Sequence, residues 1–195
     1  EIHHRVKNNM QIILSILSLQ ARKTNDQQTI EFIRESKSRI QSMALIHEKL
    51  YQSENLASIC FEDYASQLMD FIYSIYKIDK TQIDYRINAS DIHIDMNTAV
   101  PLGLIINEVV CNSLKHGFNH ADLGLINIRL TNVSRNEYKL IISDTGKGFP
   151  KNFDIKNSNT LGLKLVQTLT KQIGGELEMG GAKGVLCNIQ FKEAI

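Results

Sequence analysis

Two stretches at the start of the chain place apolar residues at helical spacing. The first covers residues 2–17, and the second follows a polar break at residues 20–28. The first apolar stripe consists of Ile2, Val6, Met10, Ile13, Ile16 and Leu17, with Ile12, Leu14 and Leu19 broadening it. The second consists of Ile30, Ile33, Ile40, Met43, Ala44, His47 and Leu50. Two amphipathic helices joined by a polar turn predict an antiparallel hairpin.

A single hairpin leaves one side of its apolar stripe bare. Pairing with a second copy would cover that side in a four-helix bundle, and packing against the rest of the chain is the alternative. We favour the bundle and therefore expect a homodimer. The hairpin is predicted to form one domain, residues 1–53, and the remainder a second domain, residues 54–195.

In the second region, helical and strand patterns alternate. Helices are predicted at 61–76, 97–115 and 161–173, the last ended by Gly174 and Gly175. Strands are predicted at 81–88, 92–95, 126–133, 137–144, 176–179 and 185–191. Short turns join the third strand to the fourth and the fifth to the sixth, as in antiparallel hairpins. These elements predict an α+β fold in which one layer of helices covers one sheet, an α/β sandwich.

Composition narrows the class of protein. The chain has 195 residues, of which 43% are hydrophobic and 22% charged, as is ordinary for a globular protein. A net charge of +1 gives no reason to expect binding to nucleic acid. Three isolated cysteines, Cys60, Cys111 and Cys187, disfavour a metal or redox centre and fit a reducing compartment such as the cytoplasm.

No segment is predicted to contact a membrane. The longest apolar run, residues 99–106, is too short to span a bilayer, and no signal-peptide pattern is present. The helical pattern is already established at Glu1, and there is no initiator methionine. We therefore expect a C-terminal, cytoplasmic part of a longer protein, whose other parts could be attached to a membrane.

A polar motif interrupts the most apolar predicted helix. NEVVCNSLKHGF places Glu108, Asn112 and Lys115 at i, i+4 and i+7, along one face of the helix at 97–115. An apolar helix does not ordinarily present a carboxylate, an amide and an ammonium on one face unless a polar group packs there. A solvated outer face is the alternative.

Two further motifs combine glycine with groups that bind ligands. In IISDTGKGF, the Asp144 carboxylate could accept a hydrogen bond from a ligand amine, and Gly146 and Gly148 would let the backbone approach closely. An ordinary turn would use the same residues. In NTLGLKLV, Gly162 stands at a helix start, where free N–H groups can hold phosphate oxygens. The three motifs in this order form a specific arrangement, although each alone is a weak signal.

With these motifs, the second region resembles the GHKL superfamily of ATP-binding domains. NEVVCNSLKH is similar to the N box, DTGKG to the G1 box and TLGLKLV to the G2 box of that superfamily. Together with EIHHRVKNN, the whole chain resembles a sensor histidine kinase core of the HRxxN-box type. The related HWE kinases carry histidine where this chain has Asn107, so we expect it to be distinct from that group.

The resemblance implies ATP and Mg²⁺ as ligands and assigns roles to the motif residues. Asp144 would recognise the adenine amino group, Asn112 would hold Mg²⁺, and Lys115 would contact a phosphate. Glu108 occupies the acidic position at the start of the N box and joins Lys115 among the catalytic candidates. The pocket and its lid would be shaped by Gly146, Gly148, Gly162 and Leu163.

The chain departs from the family pattern between the G1 and G2 boxes. The loop between Gly148 and Gly162 is short and lacks a phenylalanine-rich box, and the G2 stretch has one glycine where many relatives have two or three. His116, after Lys115, either borders the nucleotide or merely ends the helix.

Helical geometry distinguishes the two adjacent histidines. At about 100° per residue, His3 lies on the flank of the apolar stripe that includes Val6. His4 lies almost opposite that stripe, with Asn8 one turn later on the same side. A nucleophile that must meet ATP on another domain has to face outward, which favours His4. The HRxxN pattern selects the same residue.

The surroundings of His4 raise two further expectations. The resemblance places Asn8 where relatives position a water for dephosphorylating the partner. Arg5 stands where many histidine kinases have an acid, so Glu1 is the nearest carboxylate able to orient the ring. His47, on the inner stripe of the second helix, is predicted to pack rather than react.

We interpret the chain as a protein-histidine kinase core. It would use ATP to phosphorylate His4 and pass the phosphoryl group to an aspartate of a response-regulator receiver domain, with a sensor domain preceding Glu1. A second interpretation keeps the ATP site in a nucleotide-gated binding module or in a serine kinase of the anti-sigma type. A scaffold that binds no nucleotide is disfavoured by Asn112, Asp144 and Gly146.

Overall fold

The chain folds as a two-helix hairpin followed by a five-stranded sheet covered by three helices, in a computed structural model that describes residues 2–52, 58–119, 123–150 and 160–193. The helices are α1 (Ile2–Ala21), α2 (Gln27–Gln52), α3 (Phe61–Tyr76), α4 (Met96–Asn112) and α5 (Leu161–Gln172). The strands are β1 (Ile59–Cys60), β2 (Ile83–Asn88), β3 (His93–Ile94), β4 (Gly124–Ser134), β5 (Glu137–Asp144), β6 (Glu176–Gly180) and β7 (Leu186–Lys192). The predicted domain boundary at residue 53 lies outside the described residues.

The hairpin forms as predicted, with a tighter turn. Asp26 ends the turn, and its carboxylate accepts a hydrogen bond from the Thr29 N–H at 2.9 Å, which caps the first turn of α2. The apolar side chains of α1 lie on two different faces of the helix. One set of residues is half-buried towards α2: Val6, Met10, Leu14, Leu17 and Ala21. A second set is 46–57% exposed: Ile12, Ile13, Ile16 and Leu19.

The large sheet has the strand order β2-β4-β5-β7-β6. The β4–β5 and β6–β7 pairs are antiparallel hairpins, as the turns predicted. β2 and β4 are parallel neighbours, which the sequence pattern did not reveal. A parallel pair needs a long crossover, and here the crossover contains α4. The short β1 strand, which pairs with β3, was also not predicted.

α4 is buried on nearly every side. It contacts α2, α3 and α5 and shares one hydrophobic core with the sheet, which explains why most of its residues are apolar. Asp95 caps its start by accepting a hydrogen bond from the Thr98 N–H at 3.0 Å. Packing is so close at Gly103 that a Cβ there would lie 1.5 Å from the Tyr64 hydroxyl.

The predicted helix at 97–115 does not continue as a regular α-helix to its end. It is α-helical to Asn112 and then widens into a π-helical turn, Ser113–Gly117. Such turns are uncommon, often occur at functional sites, and change the direction of the side chains that follow. Lys115 and His116 therefore lie on a wider turn than the i, i+7 spacing implied.

The hairpin also packs against the rest of the chain. α2 contacts both α3 and α4, whereas the exposed apolar set of α1 remains uncovered. Packing against the rest of the chain and pairing with a second copy are thus compatible, because the two contacts use different faces of the hairpin. Among the described helices, none is long and apolar enough to cross a lipid bilayer.

Candidate functional site

A cleft of about 580 Å³ opens between α4, its π-helical turn, the loop after β5 and the start of α5. Ligand pockets in proteins typically enclose about 300–1,000 Å³. Seven of the predicted site residues line it: Glu108, Asn112, Lys115, His116, Gly148, Gly162 and Leu163. The fold therefore brings residues from all three motifs of the second region to one place.

Asp144 lies at the end of β5 and is 7% exposed. Its Oδ1 accepts hydrogen bonds from the N–H groups of Gly146 at 2.8 Å and Val185 at 3.2 Å. Its Oδ2 accepts one from the Ser113 hydroxyl at 2.6 Å. These donors fix the carboxylate, and Oδ2 keeps acceptor capacity for a ligand amine. Sequence reasoning missed Ser113, whose only signal was a small polar residue in an apolar helix.

The loop after β5 requires glycine at two positions. A Cβ on Gly146 would lie 2.5 Å from the carbonyl oxygen of Gly117, which also accepts a hydrogen bond from the Lys147 N–H at 2.9 Å. Gly148 has a φ of +72°, in the region that favours glycine. The close backbone approach expected of these glycines is therefore made by Gly146 to the π-helical turn and by Gly148 to the loop between β6 and β7, where a Cβ on Gly148 would lie 2.7 Å from the Gly181 carbonyl oxygen.

The start of α5 packs against the polar residues of α4. A Cβ on Gly162 would lie 2.7 Å from Glu108 Oε2 and 3.7 Å from Asn112 Nδ2. The first N–H groups of α5 have no intrahelical acceptor, so this end of the cleft suits an anion. The amide oxygen of Asn112 is an oxygen donor of the kind that Mg²⁺ prefers, whereas both oxygens of the neighbouring Glu108 carboxylate are bound by Arg39.

The amide oxygen of Asn112 fits Mg²⁺ in a phosphate-binding site. There the metal commonly takes one or two protein ligands and completes its shell with phosphate oxygens and water. The described residues contain no cluster of three or more His, Cys, Asp or Glu side chains suited to a metal ion. Asn112 lines the cleft and could hold the ion there.

The polar face of α4 is covered by α2, so the alternative of a solvated outer face is wrong. Glu108 is 5% exposed, and Arg39 binds both its oxygens, with Nε 2.5 Å from Oε1 and Nη2 2.9 Å from Oε2. The ammonium of Lys115 lies 2.6 Å from Glu31 Oε1 and 2.5 Å from Glu35 Oε1. The hydroxyl of Ser38 donates to Asn107 Oδ1 at 2.5 Å.

Sequence reasoning missed these α2 partners, although a signal was present. Glu31, Glu35 and Ser38 are spaced at i, i+4 and i+7, the spacing shared by Glu108, Asn112 and Lys115 on the facing segment. Two polar stripes of equal spacing can pair along adjacent helices. The sequence shows both stripes, but it does not show that Lys115 of one meets Glu31 and Glu35 of the other.

The ion pairs change the protonation equilibria of both cations. Burial disfavours the charged form of Lys115, but its hydrogen bonds to Glu31 and Glu35 outweigh this effect and raise the pKa of the ammonium. The hydrogen bond to Glu108 likewise raises the pKa of Arg39. Both side chains are therefore cations at neutral pH.

The histidine motif lies at the far end of the hairpin from the turn. The backbone of His4 is helical in α1, and Asn8 is exposed one turn later. The side chains of His3, His4, Arg5 and His47, and all of Glu1, lie outside the described residues. His116 is exposed at the cleft, which favours the first of its two alternatives.

Two family models match the chain. Residues 1–76 match the family described as histidine kinase, and residues 97–193 match histidine kinase-, DNA gyrase B-, and HSP90-like ATPases. The first match covers the hairpin and α3, and the second covers the part of the fold that contains the cleft. The chain belongs to the histidine kinase family. It is a sensor histidine kinase core, as the four motifs indicated.

Two curated relatives align with nearly the whole core. Sensor histidine kinase PdtaS from Mycobacterium tuberculosis is 33% identical over 187 residues, which are 94% of this chain and 36% of the relative. Blue-light-activated histidine kinase 2 from Erythrobacter litoralis is 27% identical over 198 residues, which are 98% of this chain and 56% of the relative. The chain thus spans about a third to a half of the length of these relatives.

Solved structures confirm the α+β fold of the kinase core. The histidine kinase domain of a blue-light-activated histidine kinase from Erythrobacter litoralis matches with a TM-score of 0.72 and 24% identity, over 98% of this chain and 91% of that one. The histidine kinase AdeS from Acinetobacter baumannii matches with a TM-score of 0.56 and 15% identity, over 96% of this chain and 97% of that one.

Replacing Gly146 of the kinase core by alanine tests the close packing of the loop after β5. We expect Gly146→Ala to lower the free energy of unfolding by about 1–3 kcal/mol, because the new methyl group overlaps the Gly117 carbonyl. Gly180→Ala is the matched control, since nothing lies within 4 Å of a Cβ there. Urea unfolding of both variants measures the difference. Equal stability of the two would contradict this packing.

Proposed function

We propose that this chain is the catalytic core of a protein-histidine kinase that uses ATP to phosphorylate His4 and then passes the phosphoryl group to an aspartate of a receiver domain. The observation that supports the proposal is the convergence of the three ATP-binding motifs on one cleft. In the proposed parent protein, a sensor domain precedes Glu1. ATP use and three free cysteines support a cytoplasmic location for the core.

Recognition of ATP would be divided between Asp144, whose partners Ser113 and Val185 line the cleft, and the start of α5. Asp144, fixed by Ser113 and two backbone N–H groups, would accept a hydrogen bond from the adenine amino group. The helix start at Gly162 and the ammonium of Lys115 would bind phosphate oxygens. Mg²⁺ at Asn112 would neutralise part of the phosphate charge.

The chemical step requires little of the protein besides positioning and charge neutralisation. A neutral imidazole of His4 would form a bond from one ring nitrogen to the γ-phosphorus. The bond between that phosphorus and the bridging oxygen breaks, and ADP leaves with the electron pair. Glu108, which lines the cleft, would be the catalytic carboxylate for this step. Asn8, exposed one turn from His4, would position the water for dephosphorylation of the receiver domain.

Labelling with ATP that carries radioactive γ-phosphate tests the phosphorylation site. We expect label that is labile in acid and stable in base, as for a nitrogen–phosphorus bond, and we expect His4→Gln to abolish it. His3→Gln is the neighbouring control and should retain the label. Label that persists in the His4 variant, or that proves to be phosphoserine, would contradict the proposal.

We further propose that the core is a homodimer joined through its hairpins. The apolar residues of α1 that face away from α2 are between 46% and 57% exposed, on a helix that needs an apolar partner. Packing of two such faces gives the four-helix bundle. The polar contact between α2 and α4 uses a different face of the hairpin and would persist in the dimer.

Sedimentation of variants of the exposed stripe tests the dimer. The parent chain of 22.1 kDa should sediment as a dimer. Ile12→Glu with Ile16→Glu should give a monomer, because charged residues would then be buried between the hairpins. Val133→Glu is the control, since Val133 is 61% exposed on the sheet, away from the hairpin. A parent monomer, or an unaffected double variant, would be evidence against the dimer.

A further inference from the structure

Five charged side chains form a continuous series of ion pairs. The series joins α2 to Glu108 on α4 and to Lys115 on the π-helical turn. In order they are Glu31, Lys115, Glu35, Arg39 and Glu108, with alternating signs. The contacts between them measure 2.6, 2.5, 3.4 and 2.5 Å. We call this set the α2 clamp.

The clamp is shielded from solvent at its centre. The side chains of Lys115 and Arg39 are each 14% exposed, and that of Glu108 is 6% exposed. Ion pairs shielded in this way attract more strongly than pairs on an open surface, which water and salt screen. The hydrogen bond between the buried Ser38 and Asn107 lies beside them. The clamp is therefore an interface with a definite geometry.

The clamp occupies groups that the proposed function assigns to ATP. Lys115, which would bind a phosphate, is already bound by Glu31 and Glu35. Glu35 and Arg39 also line the cleft itself. A triphosphate entering this end of the cleft would compete with the two glutamates for Lys115, and their negative charges would repel it. Closure of the clamp and binding of the phosphates thus oppose each other.

The position of the clamp along the hairpin also separates the cleft from His4. Since α1 and α2 run antiparallel around the turn at 22–26, residue 4 is level with about residue 44 of α2. Glu35 lies about nine residues nearer the turn, which is roughly 13 Å at the α-helical rise of 1.5 Å per residue. With the clamp closed, the phosphate end of the cleft is held nearer the turn than the phosphoacceptor.

We propose that Glu31 and Glu35 of the α2 clamp compete with the triphosphate for Lys115, so that the closed clamp lowers the affinity of the cleft for Mg-ATP. This inference rests on the proposed function of the cleft. A change in the hairpin that displaces α2 from α4 opens the clamp and frees Lys115. By linkage, binding of Mg-ATP favours the open arrangement to the same extent that opening favours binding.

The test replaces the two clamp carboxylates on α2 by their uncharged amides. We expect Glu31→Gln with Glu35→Gln to lower the Kd for Mg-ATP by about 5- to 50-fold, within the usual range of coupling between sites, and to raise the initial rate of labelling. Calorimetric titration gives the Kd. Glu176→Gln with Glu178→Gln is the matched control, because it removes the same charge from exposed positions on β6.

The possible outcomes separate this inference from the proposed function. An unchanged or higher Kd in the clamp variant, with a parent that binds Mg-ATP, would overturn the clamp and leave the proposed function intact. Absence of binding and of label in the parent and in both variants would overturn the proposed function and the clamp together. An equal fall in Kd in the control would show a general charge effect and would also overturn the clamp.

Amide hydrogen exchange without nucleotide gives a second readout that does not depend on ATP. In the clamp variant, exchange at Ser113–Gly117 should become faster, because α2 no longer holds Lys115. Glu35→Gln alone should give an intermediate effect and serves if the double variant folds poorly. Unchanged exchange in both variants would overturn the clamp.

Discussion

The burial of α4 is the constraint on which the rest of the structure depends. This helix lies against the sheet and against α2, α3 and α5, so any polar side chain on it must find a partner without water. Glu108 and Asn107 find theirs on α2, in Arg39 and Ser38. Ser113 finds its partner in Asp144 on β5. Satisfying these groups fixes the hairpin, the helix and the loop after β5 relative to one another.

Much of the fold could be predicted because it depends on local patterns. The helix at 61–76 and the strand at 137–144 appear with the predicted bounds, since their periodicity is strong and turn residues flank the strand. The parallel pairing of β2 with β4 and the contact of α2 with α4 were missed, because both depend on residues far apart in sequence. The π-helical turn was missed because its residues differ little from those of an α-helix. The cleft could be predicted from its motifs, whereas its α2 wall could not.

The hairpin has two faces with different physical properties. One face of α1 is apolar and exposed, and it is suited to a second copy of the chain. One face of α2 is polar, and it pairs with the residues proposed to bind phosphate. The proposed dimer and the proposed clamp therefore do not compete for surface. A movement of α2 within the dimeric bundle would act directly on the ATP site, because α2 itself contacts Glu108 and Lys115.

The central claim is that the cleft binds ATP with Asp144 as the acceptor of the adenine amino group. Calorimetric titration of Asp144→Asn with Mg-ATP tests it most directly. With its oxygen at the Oδ1 position the amide keeps the hydrogen bonds from the Gly146 and Val185 N–H groups, but at the Oδ2 position it presents an N–H₂, which cannot accept from the Ser113 hydroxyl or from a ligand amine. We predict a Kd at least about 30-fold higher than that of the parent, as expected for a lost and unreplaced hydrogen bond. An unchanged Kd in a folded variant would contradict the account.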